Sequence, residues 1–214
     1  TALSRWAFCA TQEQLERLIE FRASAGFPLS LHQVGDHHID AIMRVPPLTK
    51  GGILERWMVH LHPDTLATPE ENRRIAEMVV DAVGREADYI MPCNDRMHEI
   101  ILKVYEERGV KPLKYLPLNE YIGRLMLSKG LIGNSSAGVI DAPALGIRSI
   151  LVGNRQIGRD GCRMKCDNLY DLTETMSESY ARHTPDTTYG DGEAGRRTHA
   201  RHAKDEDPLA QGKF

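Results

Sequence analysis

The 214-residue sequence is short of several things, and each shortage narrows what the protein can be. No apolar run approaches the roughly 20 residues that a bilayer-spanning helix needs, so no membrane partner is expected. There is no basic excess: 27 Lys and Arg against 30 Asp and Glu give a net charge of −3, which argues against a general nucleic-acid binder. Cysteine is sparse. Cys9, Cys93, Cys162 and Cys166 are scattered rather than framed, which fits a reducing, cytoplasmic setting. The stretch from Thr1 does not resemble a signal peptide. Metal patterns are thin as well. Cys162 and Cys166 stand four apart with no second ligand pair nearby, His37 and His38 are adjacent on one turn, and His199 and His202 lack partners. No metal and no cofactor is therefore expected. What is left, 41% hydrophobic and 27% charged, is ordinary for a globular chain of one good-sized domain or two small ones.

Read in order, the chain alternates short apolar runs with amphipathic stretches. Leu3 to Ala10 reads as a strand, and Thr11 with Gln14 forms a capping box before a helix with Leu15, Leu18 and Ile19 on one face. A second strand spans Leu29 to Val34, followed by a turn at 35–38 and a short helix from Ile39 to Met43. Pro46, Pro47, Gly51 and Gly52 mark a loop. Trp57 to Leu61 is a strand that His62-Pro63 ends. Thr68-Pro69-Glu70-Glu71 is a helix start, with Ile75, Met78, Val79, Ala82 and Val83 as its buried stripe and Gly84 as its stop. Strands follow at Tyr89 to Met91 and Leu113 to Leu116. Between them a helix faces inward with Ile100, Ile101, Val104 and Tyr105. Asn119 is the expected cap of the next helix, which buries Ile122, Leu125 and Met126. Repeated strand–helix units joined by short turns imply an α/β fold, a doubly wound parallel sheet covered on both faces.

The stretch from Leu131 to Arg159 organises the rest. Leu131 and Ile132 end a strand, Gly133-Asn134-Ser135-Ser136 is a small polar turn, Ala137 to Leu145 reads as a helix, and Ser149 to Val152 reads as another strand. Such a unit aims free N–H groups and two hydroxyls at the mouth of a parallel sheet, where a phosphate sits. Arg155 and Arg159 add positive charge at the same edge. An ordinary strand–turn–helix connection without a ligand has the same spacing, so the spacing alone leaves both readings open.

The residues go further than the spacing. The run Gly-Asn-Ser-Ser-Ala-Gly at 133–138, Asp141-Ala142-Pro143, and Gly153-Asn154-Arg155-Gln156-Ile157-Gly158-Arg159 resemble the UDP-N-acetylglucosamine 2-epimerases. The hydrolysing branch, which releases N-acetylmannosamine and UDP, is the nearer match. Tyr189-Gly190-Asp191-Gly192 is similar to a signature of that family. The resemblance implies a Rossmann-like domain equivalent to the C-terminal half of a two-domain, glycosyltransferase-B-type enzyme. It implies UDP or UDP-N-acetylglucosamine as the ligand, in an amino-sugar pathway leading to sialic acid. Substrate-binding residues carried over from it are His62 (facing the pyrophosphate), Cys93, Leu116 (backbone to the uracil), Ser135, Ser136, Gly138, Asp141 (toward the ribose) and Arg155.

Two departures stand among them. Asp141 occupies a position that is usually Glu, and Cys93 one that is usually Asn, where a thiol offers less than two amide donors. His98 is similar to a histidine common in the family. His60 shares the face of its strand with His62 and is a neighbouring candidate. No catalytic residue is assigned. In the family the proton-transferring carboxylates come from the other domain, so the chain alone is expected to be inactive. The rival readings are a non-catalytic nucleotide- or partner-binding half-protein and a UDP-sugar glycosyltransferase. Homo-oligomerisation is left open. The expected organisation is a linking segment at 1–50, a UDP-binding domain at 51–192, and a weakly ordered tail at 193–214 with little to bury.

Overall fold

The computed structural model describes residues 5–26, 29–46, 56–114, 116–162, 165–178 and 182–206. They form two compact units, one made of 1–46 with 187–214 and the other of 47–186.

The first unit opens with strand β1 (Trp6–Cys9) and helix α1 (Gln12–Ala25). Thr11 and Gln14 bridge the start of the helix from both sides. Thr11 Oγ1 accepts the Gln14 N–H at 3.1 Å, and Gln14 Oε1 accepts the Ala10 N–H at 3.0 Å. The expected inner face of α1 is not buried, since none of its residues is buried and Ile19 is 43% exposed. Strand β2 (Ser30–Gln33) pairs in parallel with β1, and Asp36 caps helix α2 (His37–Met43).

The second unit runs β3 (Met58–His60), α3 (Pro69–Val83), β4 (Asp88–Tyr89), α4 (His98–Glu107), α5 (Leu118–Leu127), β5 (Leu131–Gly133), a 3-10 turn (Ser136–Gly138), α6 (Asp141–Ala144), β6 (Ser149–Val152), β7 (Lys165–Cys166) and α7 (Leu169–Ser177). Its five strands pair in parallel in the order β4-β3-β5-β6-β7. Successive strand residues go to opposite faces. Val59 and Ile132 pack with Ile75, Val79, Ile101 and Tyr105 of α3 and α4, while Met58 and Leu131 pack with Leu125 of α5 and Ala142 of α6. The sheet is thus covered on both sides, as the repeated units imply.

Several local expectations changed. Leu113 makes only an isolated bridge with Ile90, and position 115 lies outside the described residues. Pro117 rather than Asn119 precedes α5, so no side chain caps that helix. The helix expected over 137–145 is broken into the 3-10 turn and the four-residue α6. Gly138 lies in the first piece and Pro143 in the second. Neither favours one continuous helix.

The first unit closes with α8 (Ala194–Glu206), where a weakly ordered tail was expected. Its start is held from a distance. The carboxylate of Asp40, 6% exposed, accepts the N–H of Ala194 at 2.9 Å and of Gly195 at 2.7 Å. Arg197 donates to both oxygens of Asp191 at 2.7 and 2.6 Å, and the ring of Trp6 lies 4.9 Å from that of His202. The Asp36 N–H donates to Tyr189 O at 2.7 Å. Residues 187–192 therefore fold with 1–46, whereas the expected organisation grouped them with 51–186.

Candidate functional site

In a parallel sheet every strand delivers its following loop to one edge. The loops after β3, β4, β5 and β6 carry His62, Cys93 with Asp95, Asn134 to Ser136, and Arg155 with Gln156, all within the second unit.

Asn134 joins these loops. Its Oδ1 accepts the His62 N–H at 2.7 Å and its Nδ2 donates to His62 O at 2.9 Å. Its own carbonyl accepts from Gln156 Nε2 at 2.7 Å and from Arg155 Nη1 at 3.2 Å. Asn72 does the same for the next turn, accepting the Asp64 N–H at 2.7 Å and donating to Asp64 O at 2.9 Å. The His62–Asp64 segment is thus pinned at both ends. Beside it lies a pocket of about 410 Å³, counting its open mouth, lined by His62, Asp64, Asn72, Asn134, Gly153 and Asn154 among others.

The two serines of the turn separate in role. Ser135 is 3% exposed and its hydroxyl accepts the Ala137 N–H at 3.3 Å. Ser136 is half-buried, and its hydroxyl makes no hydrogen bond among the described residues. The Gly138 N–H donates to Ser135 O at 3.1 Å. A Cβ on Gly138 would stand 2.7 Å from Leu151 Cδ2 and 2.8 Å from Ser149 Oγ, so glycine is required there for packing on β6. At Gly133, with φ +156°, a Cβ would lie 2.1 Å from His60 O, so glycine also lets β5 run against β3. With the helix broken and the Ala137, Gly138 and Val139 N–H groups bonded within the turn, the turn offers the Ser136 hydroxyl rather than the dipole of a long helix.

His62 Nδ1 lies 2.7 Å from Cys93 Sγ, whose S–H donates to Asp95 Oδ2 at 3.0 Å. Burial lowers the His62 pKa and the Arg155 charge lowers it further, against an opposing pull from Asp95. Burial, then the bond to Asp95, raise that of Cys93. His60 is held down at about 3 by burial, then by His62 and Arg155. Its Nδ1 pairs with Tyr121 Oη at 3.1 Å, and its ring centroid is 4.8 Å from that of His62. His60 therefore supports the site as a neutral ring.

Of the other expected residues, Asp141 is 7% exposed at the start of α6, and its charge adds to burial in raising the Tyr121 phenol. Leu116 is half-buried against the Leu125–Leu131 cluster. His98 bonds to Asp95 O at 3.0 Å and pairs with Glu99 at 3.3 Å. Asn134, Asp95 and Gln156 were not picked out as ligand contacts from the sequence. Asn134 and Gln156 matter through partners in distant loops, which leave no local pattern, whereas Asp95 acts on Cys93 within its own loop.

Comparison with known proteins matches this arrangement to a family. The profile described as UDP-N-acetylglucosamine 2-epimerase matches residues 1–201. The Escherichia coli polysialic acid biosynthesis protein P7 is 27% identical over 176 residues, covering 74% of this chain and 44% of that protein. The UDP-N,N'-diacetylbacillosamine 2-epimerase (hydrolyzing) of Legionella pneumophila is 24% identical, covering 91% of this chain and 56% of that protein. The chain thus spans about half the length of these curated relatives. Among solved structures, Neisseria meningitidis UDP-GlcNAc 2-epimerase bound to UDP-GlcNAc superposes with a TM-score of 0.69 at 12% identity, covering 94% of this chain and 62% of that one. The S. aureus MnaA–UDP co-structure gives 0.67 at 15% identity, covering 94% and 60%. The fold is therefore the Rossmann-like half of that architecture, and the chain belongs to the UDP-N-acetylglucosamine 2-epimerase family.

Proposed function

We propose that this chain supplies the UDP-binding half of a hydrolysing UDP-N-acetylglucosamine 2-epimerase, which releases N-acetylmannosamine and UDP. The observation that carries the reading is the meeting of the Asn134-Ser135-Ser136 turn with His62 and Arg155 at one edge of the sheet. The hydrolysing name of the Legionella relative and the UDP and UDP-GlcNAc in the solved relatives support it. Four free thiols fit a cytoplasmic setting.

The reaction proposed inverts C2 as UDP leaves, by elimination followed by hydration, with carboxylates from the other domain moving the protons. The task of this half is leaving-group stabilisation. Negative charge grows on the diphosphate as the bond to the sugar breaks. Donors fixed beforehand respond to that growth without reorganising. The Ser136 hydroxyl and the Arg155 guanidinium are those donors. His62 is an uncharged contact, since Arg155 and burial both disfavour its protonation. Gly138 lets the turn lie close to β6, Asp141 accepts from the ribose, and the Leu116 backbone meets the base. Cys93 lines the nucleotide side in place of an amide.

Calorimetric titration with UDP and with uridine tests this. Ser136→Ala and Arg155→Ala each remove a charge-assisted hydrogen bond of about 1.5–3 kcal/mol, so UDP should bind at least about tenfold more weakly while uridine changes little. Ser135→Ala should act on stability instead, because its hydroxyl is buried and accepts the Ala137 N–H. The 214-residue chain by itself should release no N-acetylmannosamine from UDP-N-acetylglucosamine. If Ser136→Ala binds UDP as tightly as wild type, the turn is an ordinary connection and the reading loses its main support.

A further inference from the structure

His62 comes from the loop after β3, and Cys93 and Asp95 from the loop after β4. Their Nδ1, Sγ and carboxylate oxygen all lie within 4.8 Å of one another, the one such group of three among the described residues. The imidazole nitrogen and the sulfur stand 2.7 Å apart, and the sulfur and the carboxylate oxygen 3.0 Å apart. Imidazole, thiolate and carboxylate are all zinc ligands, and the mixture suits a borderline-soft divalent ion better than magnesium or calcium. No such site was expected, because His62 and Cys93 are 31 positions apart and no ligand spacing links them.

Size and charge both fit. A tetrahedral zinc with bonds of about 2.3 Å to sulfur and 2.0–2.1 Å to nitrogen sets those two atoms about 3.6 Å apart. Sγ must therefore withdraw from the imidazole by roughly 1 Å, a small χ1 adjustment for a half-buried side chain on a loop. A thiolate and a carboxylate together cancel the two charges of the ion. Arg155, whose charge is felt by both His62 and Cys93, then faces a neutral cluster rather than a cation.

We propose that His62, Cys93 and Asp95 form a binding site for one zinc-type divalent cation. Three protein ligands leave the fourth position to water or to an anionic oxygen. As the metal–sulfur bond forms, the thiol proton passes to solvent, and neither sulfur nor metal changes oxidation state. The site does not depend on the UDP reading, although His62 and Cys93 figure in both, so its test is run without nucleotide.

The untagged, reduced 214-residue chain is titrated with Zn2+ by calorimetry and with Co2+ by absorption. One equivalent of each should bind, and Co2+ should show a sulfur-to-metal charge-transfer band. Cys93→Ser should abolish the band and weaken Zn2+ binding at least about tenfold, whereas Cys162→Ser should preserve both. Asp95 is exposed, so Asp95→Asn probes the site without threatening the fold, and it too should weaken Zn2+ at least about tenfold. A band that survives Cys93→Ser, unchanged affinity in Asp95→Asn, or no stoichiometric binding by wild type would each overturn the proposal.

Discussion

Asn134 finishes with a side chain what the backbone leaves incomplete. The ladder between β3 and β5 ends at the pair His60 and Gly133. Beyond it the amide of Asn134 stands in for a peptide group, taking the His62 N–H and donating to its carbonyl. Because the Asn134 carbonyl also receives Arg155 and Gln156, one residue sets the positions of three loops. Asn134→Ala leaves two part-buried backbone groups without partners, and the expected cost is about 2 kcal/mol. The urea midpoint should fall with little change in the slope of the transition. An unchanged midpoint would mean that water replaces the amide without loss. This centre was hidden in the sequence for a physical reason. His62, the two serines and Arg155 stand in recognisable short motifs, but the Asn134–His62 pairing spans 72 positions and depends on the strand register. Even within a motif, only packing distinguishes Ser135, turned inward, from Ser136.

Elements follow the same division between local and distant causes. Helices α1 and α3 were legible because their start signals lie within four residues: Thr11 receives Gln14, and Thr68 receives Glu71 at 3.2 Å. Helix α8 was not, because its cap is Asp40, 154 positions away from Ala194. Its own sequence has little to bury, so the anchor should decide whether its first turn persists. Asp40→Ala should cost about 1–2 kcal/mol and strip hydrogen-exchange protection from the amides of Ala194 and Gly195. Protection that survives the substitution would show that the helix holds without its cap. The second anchor is sensitive to acid. The hydrogen bonds from Arg197 hold the Asp191 carboxyl at about 2, below its ordinary 3.8. A depressed acid stabilises the fold above its ordinary value and loses that contribution as pH falls through about 2. The pair is well exposed, so the contribution is small. A carboxyl NMR titration should therefore give Asp191 a midpoint near 2 that moves up toward 3.8 in Arg197→Ala. Equal midpoints in the two proteins would remove Arg197 as the cause.

At the scale of the molecule, the parallel sheet and its two covered faces followed from alternating strands and helices, whereas the division of the chain did not. Residues 187–192 look continuous with what precedes them, yet Tyr189 accepts from Asp36 and the chain thereafter folds against α2. The first unit is thus assembled from both ends of the sequence, and the second, 47–186, is a single continuous run. Every proposed UDP contact, from His62 to Arg155, lies in that run, as do all five strands of the larger sheet and both clusters of its core. A segment whose core and site are both its own should fold without the rest. Residues 47–186 expressed alone should therefore unfold in one cooperative transition and bind UDP within a few fold of the intact chain. Cooperative folding without UDP binding would place a needed contact in the first unit and move the proposed site outward. Failure to fold would show instead that the two units share their stability, and affinities of variants in the intact chain would then have to be read together with its unfolding.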